Sequence, residues 1–333
     1  MNVTRDADVS KRVPTYFENV LIRGCYIYDV DRTGISNKSA WQKRTLHENI
    51  DWTPSRNIVI RENTFEKTGA NALIVRVADA PLVEHNVFTH CTIKGSGNAS
   101  FPFNCDNALF QYNEACFTKY NEGDADAGGF DSDYRCKNTV IQYNYNHDNE
   151  YGGVLVCCIG RNDIFIDGTI IRYNIFENNK HHVSRVSGTT TNTRIYNNVV
   201  FTGQELNGTD IIWHKSWRGY VDQTAYYNNI FYTRAEECEF NLEKSTNNEF
   251  AYNVFFGGYP ESEPEDPFRI VKDPLFVNPG RGGEMGMNTL NGYQLQDRSP
   301  CINTGIRIDN HGEHDFWNRP LDDGQPDIGA FEK

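Results

Sequence analysis

An asparagine recurs along most of this chain, each time followed within two residues by an apolar or aromatic residue. The successive copies are 23, 27, 31, 30, 24, 31 and 24 residues apart. Repetition with a period of roughly 20 to 50 residues is typical of stacked repeats, in which extra residues collect on loops. The sequence therefore predicts a solenoid. The asparagines are Asn63, Asn86, Asn113, Asn144, Asn174, Asn198, Asn229 and Asn253.

Composition favours β structure within each repeat. The 333 residues include 37 asparagines and only 12 leucines. Asparagine competes with the helical backbone and favours turns, which argues against helical repeats. A leucine-rich repeat has a similar period, but its core is built from leucine. The chain is therefore predicted to be all-β.

Two short strand-like segments fall within each period. They are β-branched, aromatic and roughly alternating, as expected for strands with one buried face. Asparagine tolerates sharp corners, and amides stacked one per coil could bond to one another. The pattern predicts a parallel β-helix with coils of about 23 to 31 residues. The first segments are 20–23, 57–61, 139–143, 169–173 and 193–196, and the second are 72–75, 130–133, 154–157 and 211–214.

The repeat ends near Phe256. We therefore predict β-helix coils over residues 1–256 and an acidic, proline-bearing connector over 257–270. Solenoids need atypical terminal segments to cover the exposed last coil. Residues 271–333 are accordingly predicted to form a C-terminal cap packed on the same solenoid.

Charge and apolar content exclude several classes of partner. The net charge of −13 opposes a nucleic-acid partner and disfavours strongly anionic polymers. No stretch approaches the roughly 18 apolar residues of a membrane span, and Met1–Arg12 lacks the apolar region of a signal peptide. The nine cysteines show no metal-ligand spacing, so buried free thiols are expected, with one or two disulfides as the alternative.

The asparagine coils and three tail motifs resemble bacterial right-handed parallel β-helix proteins of the pectate-lyase-like superfamily. The resemblance covers roughly residues 15–333 and implies a carbohydrate-active protein that is extracellular or periplasmic. It also implies the C-terminal part of a longer secreted protein. That superfamily includes hydrolases, lyases, esterases, epimerases and non-enzymatic adhesins. The motifs are Asp273-Pro-Leu-Phe, Ser299-Pro-Cys-Ile-Asn-Thr-Gly and Asp327-Ile-Gly-Ala-Phe-Glu.

The segment from Gly123 to Asp133 carries four carboxylates on a loop that enters a strand. If Phe130 and Ser132 point inward, Asp131 and Asp133 share the outer face with Cα atoms about 6.6 Å apart. Paired carboxylates roughly 6.5 to 9.5 Å apart suit an inverting glycosidase, and their repulsion raises one pKa as a general acid requires. The alternatives are a solvated aspartate-rich turn and a calcium site, although the EF-hand pattern does not fit.

Stacking the second strands predicts a stripe of substrate-binding residues beside this pair. Adjacent coils lie about 4.8 Å apart, so side chains from several coils could contact one glycan. Arg185 and Lys215 could hold a hydroxyl or carboxylate, and His214 could carry a second proton. Trp217 offers an aromatic face to a sugar ring. The predicted substrate-binding residues are Asp106, Arg185, His214, Lys215 and Trp217.

The sequence thus predicts a carbohydrate-active enzyme acting on a polysaccharide or oligosaccharide, a glycoside hydrolase with Asp131 and Asp133 as catalytic residues. It predicts no required cofactor, with calcium as an option. The first alternative is a polysaccharide lyase in which Lys215 or Arg185 acts, with or without calcium. The second is a non-catalytic glycan-binding or structural solenoid whose acidic loop only orders a turn.

Overall fold

Three long sheets wind around one axis in the computed structural model, which describes residues 1–161, 163–258, 260–321 and 324–333. The chain is a right-handed parallel β-solenoid of about seven turns, which confirms the predicted fold class. Every turn contributes a strand to each sheet, and neighbouring strands pair in parallel register.

Sheet 1 has eight strands and positions the side chains of the candidate active site. In spatial order its strands are Ile35–Ser36, Leu73–Arg76, Ser100–Phe103, Phe130–Ser132, Val154–Cys158, His182–Gly188, Asp210–Lys215 and Glu239–Asn241.

Sheets 2 and 3 complete the triangular coil. Sheet 2 consists of Glu18–Arg23, Ser55–Arg61, Ala78–Asp79, Leu82–Glu84, Leu109–Gln111, Val140–Gln142, Ile170–Arg172, Thr193–Tyr196, Thr224–Tyr227 and Glu249–Ala251. Sheet 3 consists of Tyr26–Val30, Thr64–Thr68, Val87–Thr89, Glu114–Cys116, Tyr145–His147, Ile175–Glu177, Val199–Thr202, Ile230–Thr233 and Val254–Gly257.

Smaller elements decorate the solenoid. A three-stranded parallel sheet bridges sheets 1 and 2 through Cys136–Lys137, Ile166–Asp167 and Thr190–Thr191. Asn2–Val3 pairs with Lys38–Ser39, and Gln42–Lys43 pairs antiparallel with Asp51–Trp52. A 3-10 helix spans Val9–Lys11, and Gly283–Tyr293 contains two short 3-10 segments separated by a kink at Gly286.

The interior is a continuous apolar column built from the inward-facing side chains of all three sheets. Phe65 and Phe88 stack with ring centroids 5.0 Å apart, and Phe231 and Phe255 repeat that contact at 5.3 Å. These phenylalanines follow the ladder asparagines by two residues, so alternation along the strand directs them inward. The apolar half of the repeated motif is therefore the core of the solenoid.

The repeated asparagines form the predicted ladder along one corner. Each side-chain amide donates to the Oδ1 of the next asparagine, as from Asn144 to Asn174 and from Asn174 to Asn198, both at 3.0 Å. The series ends where Asn253 donates to Asp266 Oδ2 at 2.9 Å. The left-handed backbone falls one residue earlier than expected, as at Tyr173 (φ 50°), so the ladder asparagine supplies hydrogen bonds rather than the unusual dihedral angle.

The C-terminal segment, predicted as a cap packed on the same solenoid, packs along the side of the solenoid. Its apolar side chains cover outward-facing residues of five successive strands of sheet 3, from Tyr145 to Val254. Ile308 extends the contact to outward-facing tyrosines of sheet 2. A lateral apolar stripe, rather than the open last coil, determines where this segment lies.

All nine cysteines are free thiols and eight of them are buried, as predicted; five of the buried thiols lie in the apolar core of the solenoid. Within the described parts of the chain, no helix has the length and apolar character needed to cross a membrane.

Candidate active site

Outward-facing residues of sheet 1 form two parallel rows. Phe130 and Ser132 face the interior, so Asp131 between them faces outward. Parallel pairing aligns Asp131 with Leu155, Arg185 and Trp213 in one row. The adjacent row contains Cys157, Ser187 and Lys215, and Asp133 continues it on the preceding coil. The sheet therefore fixes the spacing of these side chains.

A cleft of about 440 Å³ lies over these two rows. The loop before the Phe130–Ser132 strand folds over one edge, where Arg185 Nη1 donates to the Ala125 carbonyl at 2.7 Å. Arg185 Nη2 also donates to Asp126 Oδ1 at 3.2 Å. The cleft is lined by Ala125, Asp126, Asp131, Asp133, Tyr134, Leu155, Cys157, Arg185, Ser187, Lys215 and Trp217.

Asp131 forms the floor of the cleft and is 3% exposed. Its Oδ2 accepts a hydrogen bond from Asn98 Nδ2 at 3.2 Å, while its Oδ1 is buried without a hydrogen-bond partner. Burial, together with the nearby charges of Asp133 and Asp126, raises the pKa of Asp131 well above its usual value. Asp131 therefore favours its protonated form more strongly than an exposed aspartate does.

Asp133 lies higher in the cleft and is partly exposed. Burial raises the pKa of Asp133 to about 7. The backbone N–H of Tyr134 donates to Asp133 Oδ1 at 2.7 Å and lowers that pKa, while Asp126 raises it and Arg76 lowers it. A carboxyl group poised near neutrality suits proton donation in a chemical step.

Asp126 differs from both of these acids. Its side chain is 37% exposed and forms an ion pair with Arg185, whose own side chain is 5% exposed. A buried guanidinium held by the sheet places a fixed positive charge beside the Asp126 carboxylate. The three aspartates thus occupy three distinct environments around one cleft.

Basic and aromatic side chains form the opposite wall. Lys215 Nζ lies 4.5 Å from the Trp213 ring centroid, and burial together with the Arg185 charge lowers the pKa of Lys215. Trp217 is 39% exposed, and its ring lies 5.8 Å from that of Tyr134 at an angle of 54°. An exposed tryptophan face beside a polar cleft suits the apolar face of a sugar ring.

Two of the predicted substrate-binding residues lie elsewhere. Asp106 belongs to the corner between sheets 1 and 2, where it bridges to Asp79 and Lys137 and its Oδ1 accepts from Arg44 Nη1 at 2.7 Å. The predicted stripe missed this because Asp106 follows the strand Ser100–Phe103 rather than lying on it.

His214 is also misplaced in the predicted stripe, because it faces the interior. Its Nε2 lies 2.8 Å from the Tyr226 hydroxyl and its Nδ1 lies 2.9 Å from Ser245 Oγ. Burial lowers the pKa of His214 to about 3, so this imidazole stays neutral and carries no proton to the cleft. One residue of register separates it from Lys215, which faces outward.

The structure brings Asp131, Asp133, Arg185, Lys215 and Trp217 to one cleft. Their roles in catalysis and binding stay predictions. Sequence reasoning missed Tyr134 and the site position of Asp126, although Asp126 lies in the acidic segment that drew attention. The loop-over-strand geometry that brings Asp126 to Arg185 links residues 59 apart and leaves no local signal.

Among the described residues, one group of side chains could hold a metal ion. It consists of Glu114, Cys116 and His147 and lies on sheet 3, away from the cleft on sheet 1. The predicted calcium option therefore stays untested.

Comparison with known proteins gives one informative sequence relative. No protein-family model matches the chain. The chain is 26% identical over 380 residues to a lacto-N-biosidase from Bifidobacterium longum subsp. longum. That similarity covers 99% of this chain and 23% of the relative, so the chain spans about a quarter of that enzyme's length.

Solved structures support the fold independently. XylC in complex with xylose superposes with a TM-score of 0.55 at 12% identity, covering 96% of this chain and 60% of that one. A GH136 lacto-N-biosidase from Eubacterium ramulus, solved as its selenomethionine derivative, gives a TM-score of 0.50 at 21% identity over 75% of this chain and 38% of that one. At these identities the likenesses bear on the fold, and both agree with a parallel β-helix.

Proposed function

We propose that this chain is the β-helix part of a glycoside hydrolase that cleaves an oligosaccharide bound in the cleft on sheet 1. The observation that supports this proposal most directly is the carboxyl group of Asp133. It has a pKa of about 7 and lies in a cleft that also holds the Asp126–Arg185 ion pair. Two carboxyl groups in unlike environments are what acid–base cleavage of a glycosidic bond requires. The lacto-N-biosidase relative supports the same reaction class and an extracellular location.

In this proposal Asp133 is the general acid. It is protonated below about pH 7 and partly exposed, so it can reach the leaving oxygen of a bound sugar. Donating its proton to that oxygen lets the bond break without expelling a free alkoxide. Trp217 and Tyr134 would carry the sugar face next to the scissile bond.

The second carboxylate is Asp126 rather than the predicted Asp131. The Asp126 side chain is 37% exposed and so open to a ligand, and its Oδ1 accepts a hydrogen bond from Arg185 Nη2 at 3.2 Å. Asp131 is only 3% exposed, and burial raises its pKa, so it is less accessible to a ligand than Asp126 and less readily ionised than an exposed aspartate. Asp131 would lie beneath the substrate as part of the floor of the cleft.

Three variants separate these roles. Asp133→Asn should lower kcat about 10²- to 10⁴-fold on a natural oligosaccharide and much less on an aryl glycoside whose leaving group needs no proton. Asp126→Asn should be impaired on both substrates, because the anomeric carbon must gain a new bond, to the carboxylate or to a water that the carboxylate deprotonates, whatever the leaving group. Asp131→Asn, which keeps the shape of the side chain at the floor of the cleft, should retain most activity. Loss of activity in Asp131→Asn together with full activity in Asp126→Asn would reverse the assignment.

One observation favours a polysaccharide lyase as the second candidate. Lys215 has a lowered pKa and lies beside Arg185, as a base that abstracts a proton next to a neutralised uronate would. A glycan panel followed by reducing-end assay and by ultraviolet absorbance separates the two reactions. Hydrolysis gives new reducing ends alone, elimination gives both signals, and binding without cleavage would refute both enzymatic proposals.

A further inference from the structure

A compact group of potential metal ligands lies on the outer face of sheet 3. Parallel register places Cys116 opposite His147, while Glu114 precedes Cys116 by two residues on the same strand. Ala115 and Asn146 between them are buried in the interior, so the three side chains share the outer face. Their ligand atoms all lie within 4.8 Å of one another.

We propose that Glu114, Cys116 and His147 bind a zinc ion that fastens the C-terminal segment to the solenoid. Zinc accepts thiolate, imidazole and carboxylate together, whereas calcium and magnesium prefer sets of oxygen ligands. In a tetrahedral zinc site with bonds of about 2.0 to 2.3 Å, the ligand atoms lie roughly 3.4 Å apart. The spacing of the group matches that geometry with small side-chain adjustments.

The imidazole of His147 is already oriented as in a zinc site. Its Nδ1 lies 2.7 Å from Asp148 Oδ2, and its Nε2 lies 2.9 Å from Glu114 Oε1. A zinc-bound histidine usually donates its other ring N–H to a carboxylate, which fixes the ring and increases the basicity of the ligand nitrogen. Asp148 would have that positioning role, leaving Nε2 for the metal.

The C-terminal segment closes over the group. Gly283 N donates to Asp148 Oδ2 at 3.2 Å, and Gly282 N donates to Glu177 Oε1 at 2.6 Å. A Cβ atom on Gly286 would lie 2.4 Å from Glu114 Oε1, so a larger residue there would have to displace the Glu114 carboxylate. His147 is completely buried as a result. Exclusion of water strengthens metal–ligand attraction, and a bound ion would hold both chain segments together.

This inference does not depend on the proposed hydrolase activity. The zinc group lies on sheet 3 and the cleft lies on sheet 1, so the two sites share no residue. Its role is structural, and its test therefore measures metal content, spectrum and stability rather than turnover.

The decisive experiment uses the whole chain, stripped with a chelator and reloaded with zinc or cobalt under reducing conditions. We expect about one zinc per chain by elemental analysis, a higher Tm with zinc than without, and a near-ultraviolet thiolate-to-cobalt band. Cys116→Ser should lose the cobalt band. Cys136→Ser, which removes a different fully buried thiol, should keep it.

Asp148→Asn provides a variant that keeps all three ligands. It should weaken zinc binding about 10- to 100-fold while cobalt still gives the thiolate band. The proposal is overturned if the folded wild-type chain binds no stoichiometric zinc and shows no cobalt–thiolate band. It is equally overturned if Cys116→Ser and Cys136→Ser give the same band.

Discussion

Arg76 provides a way to shift the pH dependence of the proposed reaction without altering a residue that touches substrate. Arg76 lies opposite Phe103 on the next coil. Ser100 pairs with Phe130, and the same register extended along the chain places Phe103 opposite Asp133. Arg76 and Asp133 are therefore two coils apart, and the positive charge of Arg76 lowers the pKa of Asp133. Replacing Arg76 with methionine removes that charge and keeps an apolar contact with Phe103, whose ring lies 4.4 Å from the guanidinium.

The size of the shift follows from the solenoid geometry. Two coils correspond to about 9.6 Å. At that distance and an effective dielectric constant of about 20, unit charges interact by roughly 1.7 kcal/mol, which equals about 1.3 pH units. Screening at about 0.1 M salt reduces the effect to roughly 0.5 pH unit. We expect the pKa of Asp133 to rise by about 0.5 to 1.3 units in Arg76→Met.

A general acid must be protonated, so kcat/KM falls as pH rises through the pKa of Asp133, about 7 in the wild type. Arg76→Met should move this descending limb to higher pH. Arg61→Met, which removes a similarly exposed arginine from the outer face of sheet 2, should leave it in place. An unchanged limb in Arg76→Met, or a shift to lower pH, would refute Asp133 as the acid.

Three further predictions concern the scaffold. Asn174→Ala removes a buried rung and leaves the backbone N–H of Asn144 without the Asn174 Oδ1 acceptor. The free energy of unfolding should therefore fall by about 2 to 5 kcal/mol in denaturant titrations, against less than about 1 kcal/mol for the exposed Asn192→Ala. Gly286→Ala should lower Tm more than Gly283→Ala. Both glycines have positive φ, but only a Cβ atom at Gly286 would clash, with the Glu114 carboxylate. Equal losses of Tm would exclude that clash as the cause. His214→Gln should destabilise the chain yet leave the pH profile unchanged, and a lost limb would restore His214 as a proton carrier.

The fold was predictable because its determinants repeat. One asparagine and one apolar residue recur in every coil. The asparagines form the predicted ladder, and the apolar residues form the core. The C-terminal segment was less predictable. Its destination depends on outward-facing residues such as Tyr145 and Ile175, which occupy positions that usually face solvent in a solenoid. A pattern of buried and exposed residues within single strands does not show which outer face another segment will cover.

The candidate site shows the same division between local and distant information. Asp131 and Asp133 could be found because they alternate with Phe130 and Ser132 on one strand. Lys215 and His214 were predicted together, and the pleat sends them to opposite faces. Asp126 could not be assigned, because its partner Arg185 comes from the strand two coils further on.

The regular spacing of a solenoid also constrains the mechanism. Its outward rows have fixed spacing, so the floor of the cleft can present groups only at multiples of about 4.8 Å along the axis. A carboxylate at another distance or height must come from a loop, as the loop carrying Asp126 does when Arg185 holds it against the sheet. The proposed acid is thus placed by the coil and its partner by the loop. Substitutions in the loop should therefore change the distance between the carboxyl groups of Asp126 and Asp133 and leave Asp133 in its row. The hydrogen bond from Arg185 to the Ala125 carbonyl is then the contact on which the proposed catalytic geometry depends.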